Sequence, residues 1–128
     1  MVVGDLPFDL SDTAEYIEGR VHGLDVRLVQ RLRKGQYAVE AHLDLHGLDR
    51  HEAKAALRAF IETSRREGRR CVLVVHGRGL GSRDGIPVLR ERMKEWLSRG
   101  GIGQQVLAFT SARPVDGGTG AVYVLLRR

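Results

Sequence analysis

Two phrases in the chain place titratable side chains where an apolar run stops: Leu43-Asp44-Leu45-His46-Gly47 and Val72-Leu73-Val74-Val75-His76-Gly77-Arg78-Gly79-Leu80-Gly81-Ser82. Imidazole titrates near neutral pH, so His46 and His76 are suited to take or give a proton. Residues two apart on a strand share a face, which sets Asp44 beside His46. There the carboxylate can orient the ring or hold one divalent cation, Mg²⁺ or Mn²⁺. In the second phrase Gly77, Gly79 and Gly81 allow positive φ, so successive N–H groups can cradle an anion. Arg78 adds a guanidinium fork that fits phosphate oxygens. The chemistry these residues suit is that of a phosphate ester. Asp44, His46 and His76 are the candidate catalytic group; Gly77, Arg78, Gly79 and Gly81 are the candidate phosphate binders.

Each part alone is a weak signal. Histidines at strand ends are commonly structural, and glycine-rich loops commonly join strands to helices. Gly-Arg-Gly-Leu-Gly is not a Walker loop, because no Gly-Lys-Ser/Thr follows, and its third glycine comes one residue early for a dinucleotide fingerprint. One cysteine and no close histidine pair on a helix argue against zinc. The combination is what points to function: two comparable strand ends, one acid on the right face, and a glycine nest.

The elements that must position these residues are legible from residue 39 onward. Val39, Ala41, Leu43 and Leu45 alternate with Glu40, His42, Asp44 and His46, the pattern of a half-buried strand. Asp49 and Glu52 have the spacing of a capping box, and Ala53, Ala56, Leu57, Phe60, Ile61 and Ser64 form a helical stripe ended by Gly68. Cys71 to Val75 reads as a central strand with Cys71 in the core. A second helix is expected from Pro87, with Leu89, Met93, Trp96 and Leu97 inward and Gly100-Gly101 as its stop. Gln105 to Thr110 and Ala121 to Leu126 read as two more strands around a long hairpin-like connection.

The order β-α-β-α-β-β predicts an α/β two-layer sandwich with a four-stranded mixed sheet and two main helices. The first two strands should be parallel. Residues 39–128 are expected to form this domain. Residues 1–38 read as an extension that wraps it or stays loose, with short helices over Ser11–Gly19 and around Val26–Leu32.

Composition limits the partners. A chain of 128 residues with 42% hydrophobic residues can bury a modest core. No apolar run approaches the ~18 residues of a membrane span, and no basic-then-apolar leader opens the sequence. With a single cysteine, the expectation is a soluble, cytoplasmic protein. The formal net charge is +5. Residues 1–38 carry five basic and six acidic side chains, and residues 39–128 carry sixteen and ten. The positive excess therefore lies in the domain, where it suits a polyanionic partner.

On these motifs the chain resembles the small MutS-related (Smr) domain family. Leu43-Asp44-Leu45-His46-Gly47 with Glu52-Ala53, then Val75-His76-Gly77-Arg78-Gly79, then Gly117-Gly118-Thr119-Gly120-Ala121 with Val124 and Leu126 are similar to its three motifs, in order. The extension, with Glu18-Gly19-Arg20 and Gly23-Leu24-Asp25, is similar to that of stand-alone bacterial members. Arg78 departs from the family, where many members have lysine, but it keeps the charge. The resemblance implies a fold like the C-terminal domain of translation initiation factor three, four strands with two helices on one face. It implies nucleic-acid binding, with DNA nicking or RNA cleavage in some members, and it carries Asp44, His46, His76 and Gly77 over as the active-site group. A non-catalytic module for structured or branched nucleic acid is the alternative. Under the enzyme reading, His46→Ala or His76→Ala abolishes cleavage and changes stability little.

Overall fold

The computed structural model describes residues 7–10, 16–77 and 88–128. Six strands form one mixed sheet: β1 (Phe8–Leu10), β2 (Glu18–Val21), β3 (His42–Asp44), β4 (Cys71–Val75), β5 (Val106–Ser111) and β6 (Ala121–Leu126), in the order β1-β2-β5-β6-β4-β3. Only β3 and β4 are parallel; every other neighbouring pair is antiparallel. Helices α1 (Val26–Arg33), α2 (Arg50–Arg66), α3 (Val88–Ser98) and the short α4 (Gly100–Gly103) complete the fold.

The predicted crossover is present. Asp49 accepts the Glu52 N–H at 2.8 Å while the Glu52 carboxylate accepts the Asp49 N–H at 3.1 Å, the reciprocal box that starts α2. Ala53, Leu57 and Ile61 of α2 bury against Leu45, Val72 and Val74, together with Met93, Trp96 and Leu97 of α3. Cys71 lies in the core, where burial pushes its thiol up to about 12 and leaves it unreactive.

Four expectations are corrected. The sheet has six strands among the described residues, not four, because the extension contributes two. Ile17 is buried, its N–H bonds Ser111 Oγ at 2.9 Å, and β2 pairs along β5, which would otherwise be an open edge. Residues 11–15 lie outside the described residues, but Glu18 and Gly19, expected to be helical, are strand. Gly19 fits there because a Cβ would come within 2.6 Å of the Phe109 ring across the ladder. The sequence conceals these strands because they are only three and four residues long.

The helices are also not confined to one face. Val29 and Leu32 of α1 pack on Cys71, Ala108, Tyr123 and Leu125, the side opposite α2 and α3. A polar cluster clamps that helix: Arg33 donates to both Glu18 oxygens at 2.8 and 2.9 Å, and Tyr16 contacts Thr110 Oγ1 at 2.6 Å. Finally, Gly100-Gly101 do not stop a helix but begin α4. The break comes at extended Arg99, after the Ser98 hydroxyl has bonded the Lys94 carbonyl at 2.7 Å. The expected start of the second helix at Pro87 lies outside the described residues, and α3 is described from Val88.

Candidate active site

The register of the parallel pair sets the site. Asp44 is the partner of Val75, and the Leu45 N–H bonds the Val75 carbonyl at 2.7 Å. Carrying that register past the ladder brings His46 opposite Gly77. The contact agrees, since a Cβ built at Gly77 would lie 3.6 Å from the His46 Cβ. Gly77 has φ +84°, a backbone state that side-chain-bearing residues rarely adopt. The carbonyl of Gly120 accepts both the His76 and Gly77 N–H groups at 2.9 Å, tying the closing glycine motif to the same end of the sheet.

Asp44 and His46 meet as their spacing predicts. Asp44 Oδ1 accepts the His46 backbone N–H at 3.0 Å and faces His46 Nδ1 at 2.6 Å. A carboxylate can only accept, so Nδ1 carries the proton and the basic nitrogen of the neutral ring is Nε2. These bonds, the side-chain one first and the backbone one second, hold the Asp44 carboxyl below the usual carboxylate range. Both side chains are exposed, at 50% for Asp44 and 71% for His46. The pair is an oriented base open to a large substrate.

His76 is placed differently. It is 3% exposed, and its Nδ1 donates to the Gly77 carbonyl at 2.8 Å. Its Nε2 is buried and has no hydrogen-bond partner among the described residues. Burial pushes the imidazole down to about 4; the Gly77 bond opposes the shift, and the Arg90 guanidinium adds to it. The ring is therefore neutral at neutral pH. Strand alternation explains the difference. Val72 and Val74 face the α2–α3 layer, and His76 continues their row, whereas Asp44 shares the face of its partner Val75. The structure brings the two strand ends together but turns their histidines to opposite sides of the sheet. The expectation that His76→Ala leaves stability nearly unchanged does not survive this burial.

Arg78, Gly79 and Gly81 lie outside the described residues. No group of three or more His, Cys, Asp or Glu side chains able to hold a metal comes together among the described residues. His46 engages only Oδ1 of Asp44 among the described residues, and a Mg²⁺ or Mn²⁺ ion at this carboxylate would complete its shell with waters and substrate phosphate oxygens.

Sequence reasoning passed over one group at this end of the sheet. Tyr123 donates its hydroxyl to Asp116 Oδ2 and accepts from the backbone N–H and Nε of Arg113 at 3.4 Å. Tyr123 packs on the α1 side, the face that also carries Asp44. Its only sequence signal is a tyrosine inside an otherwise aliphatic strand, six residues beyond Gly117.

Similarity to known proteins agrees with the motifs. Residues 43–127 match the Smr domain family. The chain is 38% identical over 100 residues to the "Ribosome rescue factor SmrB" of Tolumonas auensis, covering 78% of this chain and 52% of that protein. It is 31% identical over 120 residues to the "Probable DNA endonuclease SmrA" of Escherichia coli K12, covering 94% and 63%. It therefore spans about half to under two thirds of these curated relatives. Among solved structures, YdaL, a stand-alone small MutS-related protein from Escherichia coli, superposes with a TM-score of 0.75 at 31% identity, covering 90% of this chain and 86% of that one. The Smr domain of Thermus thermophilus MutS2 superposes with a TM-score of 0.58 at 32% identity, covering 69% and 99%. No described helix is long and apolar enough to cross a membrane. With residues 43–127 matching its model and the sheet shared with these structures, the chain belongs to the Smr domain family.

Proposed function

We propose that this protein is a nucleic-acid endonuclease in which His46 is the general base and Asp44 its orienting and charge-stabilising partner. The observation that carries the reading is the 2.6 Å Asp44–His46 contact on an exposed strand end, with Nε2 of the ring left to act. His46 Nε2 takes the proton of the attacking hydroxyl, and Asp44 stabilises the imidazolium that forms. RNA needs the fewest parts. The 2′-oxygen attacks the adjacent phosphorus, the P–O5′ bond breaks, and the leaving oxygen takes a proton from the imidazolium or solvent. On DNA a water molecule replaces the 2′-hydroxyl. Arg78 and the glycines that follow would hold the phosphate oxygens.

In this scheme His76 is a positioning residue. Its bond to the Gly77 carbonyl supports the turn that lies against His46, and its buried neutral ring is a poor proton donor. The relatives bear on the substrate only through their names, one a ribosome rescue factor and one a probable DNA endonuclease. Both suit a nucleic-acid partner.

The burial of His76 also favours a second reading, a binding module without turnover, because it leaves one exposed acid–base pair rather than two. One experiment separates them. Structured RNA and supercoiled plasmid are incubated with the protein, with and without Mg²⁺ or Mn²⁺, and compared with His46→Ala. Product exceeding enzyme, lost in the variant, supports the enzyme. Binding with no product from wild type supports the module. Equal cleavage by wild type and variant removes His46 from the mechanism.

A further inference from the structure

The helical layer carries a charge pattern that the Asp44–His46 site does not use. Arg50, Lys54 and Arg58 repeat every fourth residue along α2, all exposed, and none has an ion pair or hydrogen bond among the described residues. Residues four apart on a helix stack on one side with about 6 Å of rise between them, a separation comparable to that of consecutive phosphates along a strand. The row starts one residue after the Asp49 cap, at the same end of the sheet as His46 but on the layer covering the other face, and runs about 13 Å from that cap.

At its far end the row enters a cleft of about 140 Å³ between α2 and the α3–α4 junction, where Lys54 and Arg58 face Arg99, Trp96 and the Gly100–Gly101 backbone. Arg99 is also exposed and unpaired among the described residues. A Cβ at Gly100 or Gly101 would meet nothing within 4 Å, so the wall is open. The single carboxylate among the described lining residues, Glu95, lies 3.5 Å from Arg92, so that among these residues three cations without an ion pair face one partnered acid. Unpaired cations held around a concavity favour an anion, and arginine forks favour phosphate oxygens over a diffuse negative surface.

The geometry points to a second nucleic-acid contact, in which Arg50, Lys54, Arg58 and Arg99 take backbone phosphates of the strand beyond the stretch held at His46. It rests on the nucleic-acid reading above and adds a direction to it: the strand leaves the site along α2. Contacts of this type position the strand and carry no base specificity.

The test is a salt titration of binding, with single-stranded DNA and 2′-O-methylated RNA of one sequence, each in a short and a several-fold longer form. Lys54→Gln with Arg58→Gln is compared with Lys34→Gln with Arg128→Gln, which removes equal charge elsewhere. On a single strand each lost phosphate contact lowers the slope of log affinity against log salt by about 0.7. The first pair should therefore flatten the slope for long strands by about 1.4 and weaken binding roughly tenfold at low salt. The control pair should leave the slope unchanged, and Lys54→Arg with Arg58→Lys should retain it. A wild-type slope in Lys54→Gln/Arg58→Gln overturns the second contact while leaving the nuclease reading intact. No strand binding by wild type overturns both. Tighter binding of polyglutamate than of either strand overturns it in favour of an acidic protein.

Discussion

The two His-Gly strand ends read almost alike in sequence and behave oppositely in the fold. Around His46 the chain is exposed, the imidazole is held by an acid two residues away, and the basic nitrogen is free. Around His76 the ring is buried, held by the carbonyl of the next residue, and driven neutral. The strands are adjacent and parallel, so proximity is not the difference. Parity is: the ladder sets His46 opposite Gly77 rather than opposite His76, and successive side chains on a strand alternate sides. Repetition of a motif therefore does not imply repetition of a role.

Four measurements break or sharpen this contrast. His46→Ala should give the largest effect, a loss of cleavage of about 10³-fold, within the usual range for removing a general base. Its melting temperature should barely move, because the side chain is exposed. A variant that cuts normally would erase the proposed distinction between the two ends.

The next largest effect concerns stability. His76 binds a proton at about 4 in the fold against 6.5 for the free side chain. Between those pH values the unfolded chain holds more protons than the native one, so stability falls as pH drops from 6.5 to 4. The total is roughly 3 kcal/mol, following from about 1.4 kcal/mol per pH unit. Urea unfolding of wild type and His76→Leu across this range should show the acid loss attributable to His76 only in wild type. Parallel pH profiles for the two proteins would mean that the ring is not buried in solution.

Asp44→Asn keeps an acceptor for Nδ1 but removes the charge facing the imidazolium. Single-turnover cleavage should fall, though by less than for His46→Ala, because the base itself remains in place. A loss equal to that of His46→Ala, with correct folding, would make Asp44 a direct participant, as a metal ligand would be. Gly77→Ala should be the mildest. The added Cβ meets only ordinary contact at His46, so the penalty is the positive φ, about 1 kcal/mol of stability in chemical denaturation, with cleavage reduced only a few-fold. A loss of several kcal/mol would show that the turn tolerates no alternative backbone.

Much of the domain was legible because its signals are local. The Asp49–Glu52 box, the Ala53–Leu57–Ile61 stripe and the aliphatic run of Cys71–Val75 each state their own conformation within a turn or a few strand residues. Asp44–His46 was legible for the same reason, since two residues on one strand must share a face. The two strands from the extension were not. They are short, and their stabilisation comes from β5 and Phe109, some ninety residues away. The second helix-covered face was hidden likewise, because α1 is recognisable as a helix but its target is not written beside it.

The sequence by itself determined the order of the main elements from residue 39 onward, the pairing of Asp44 with His46, and the family motifs. Those follow from spacing and residue type within short windows. Only the tertiary structure decided which histidine meets solvent, that the extension completes the sheet, and that Lys54, Arg58 and Arg99 line one cleft. Burial and register are properties of the partner strand or helix as much as of the residue. The chain on its own does not say which side of a strand another element will cover.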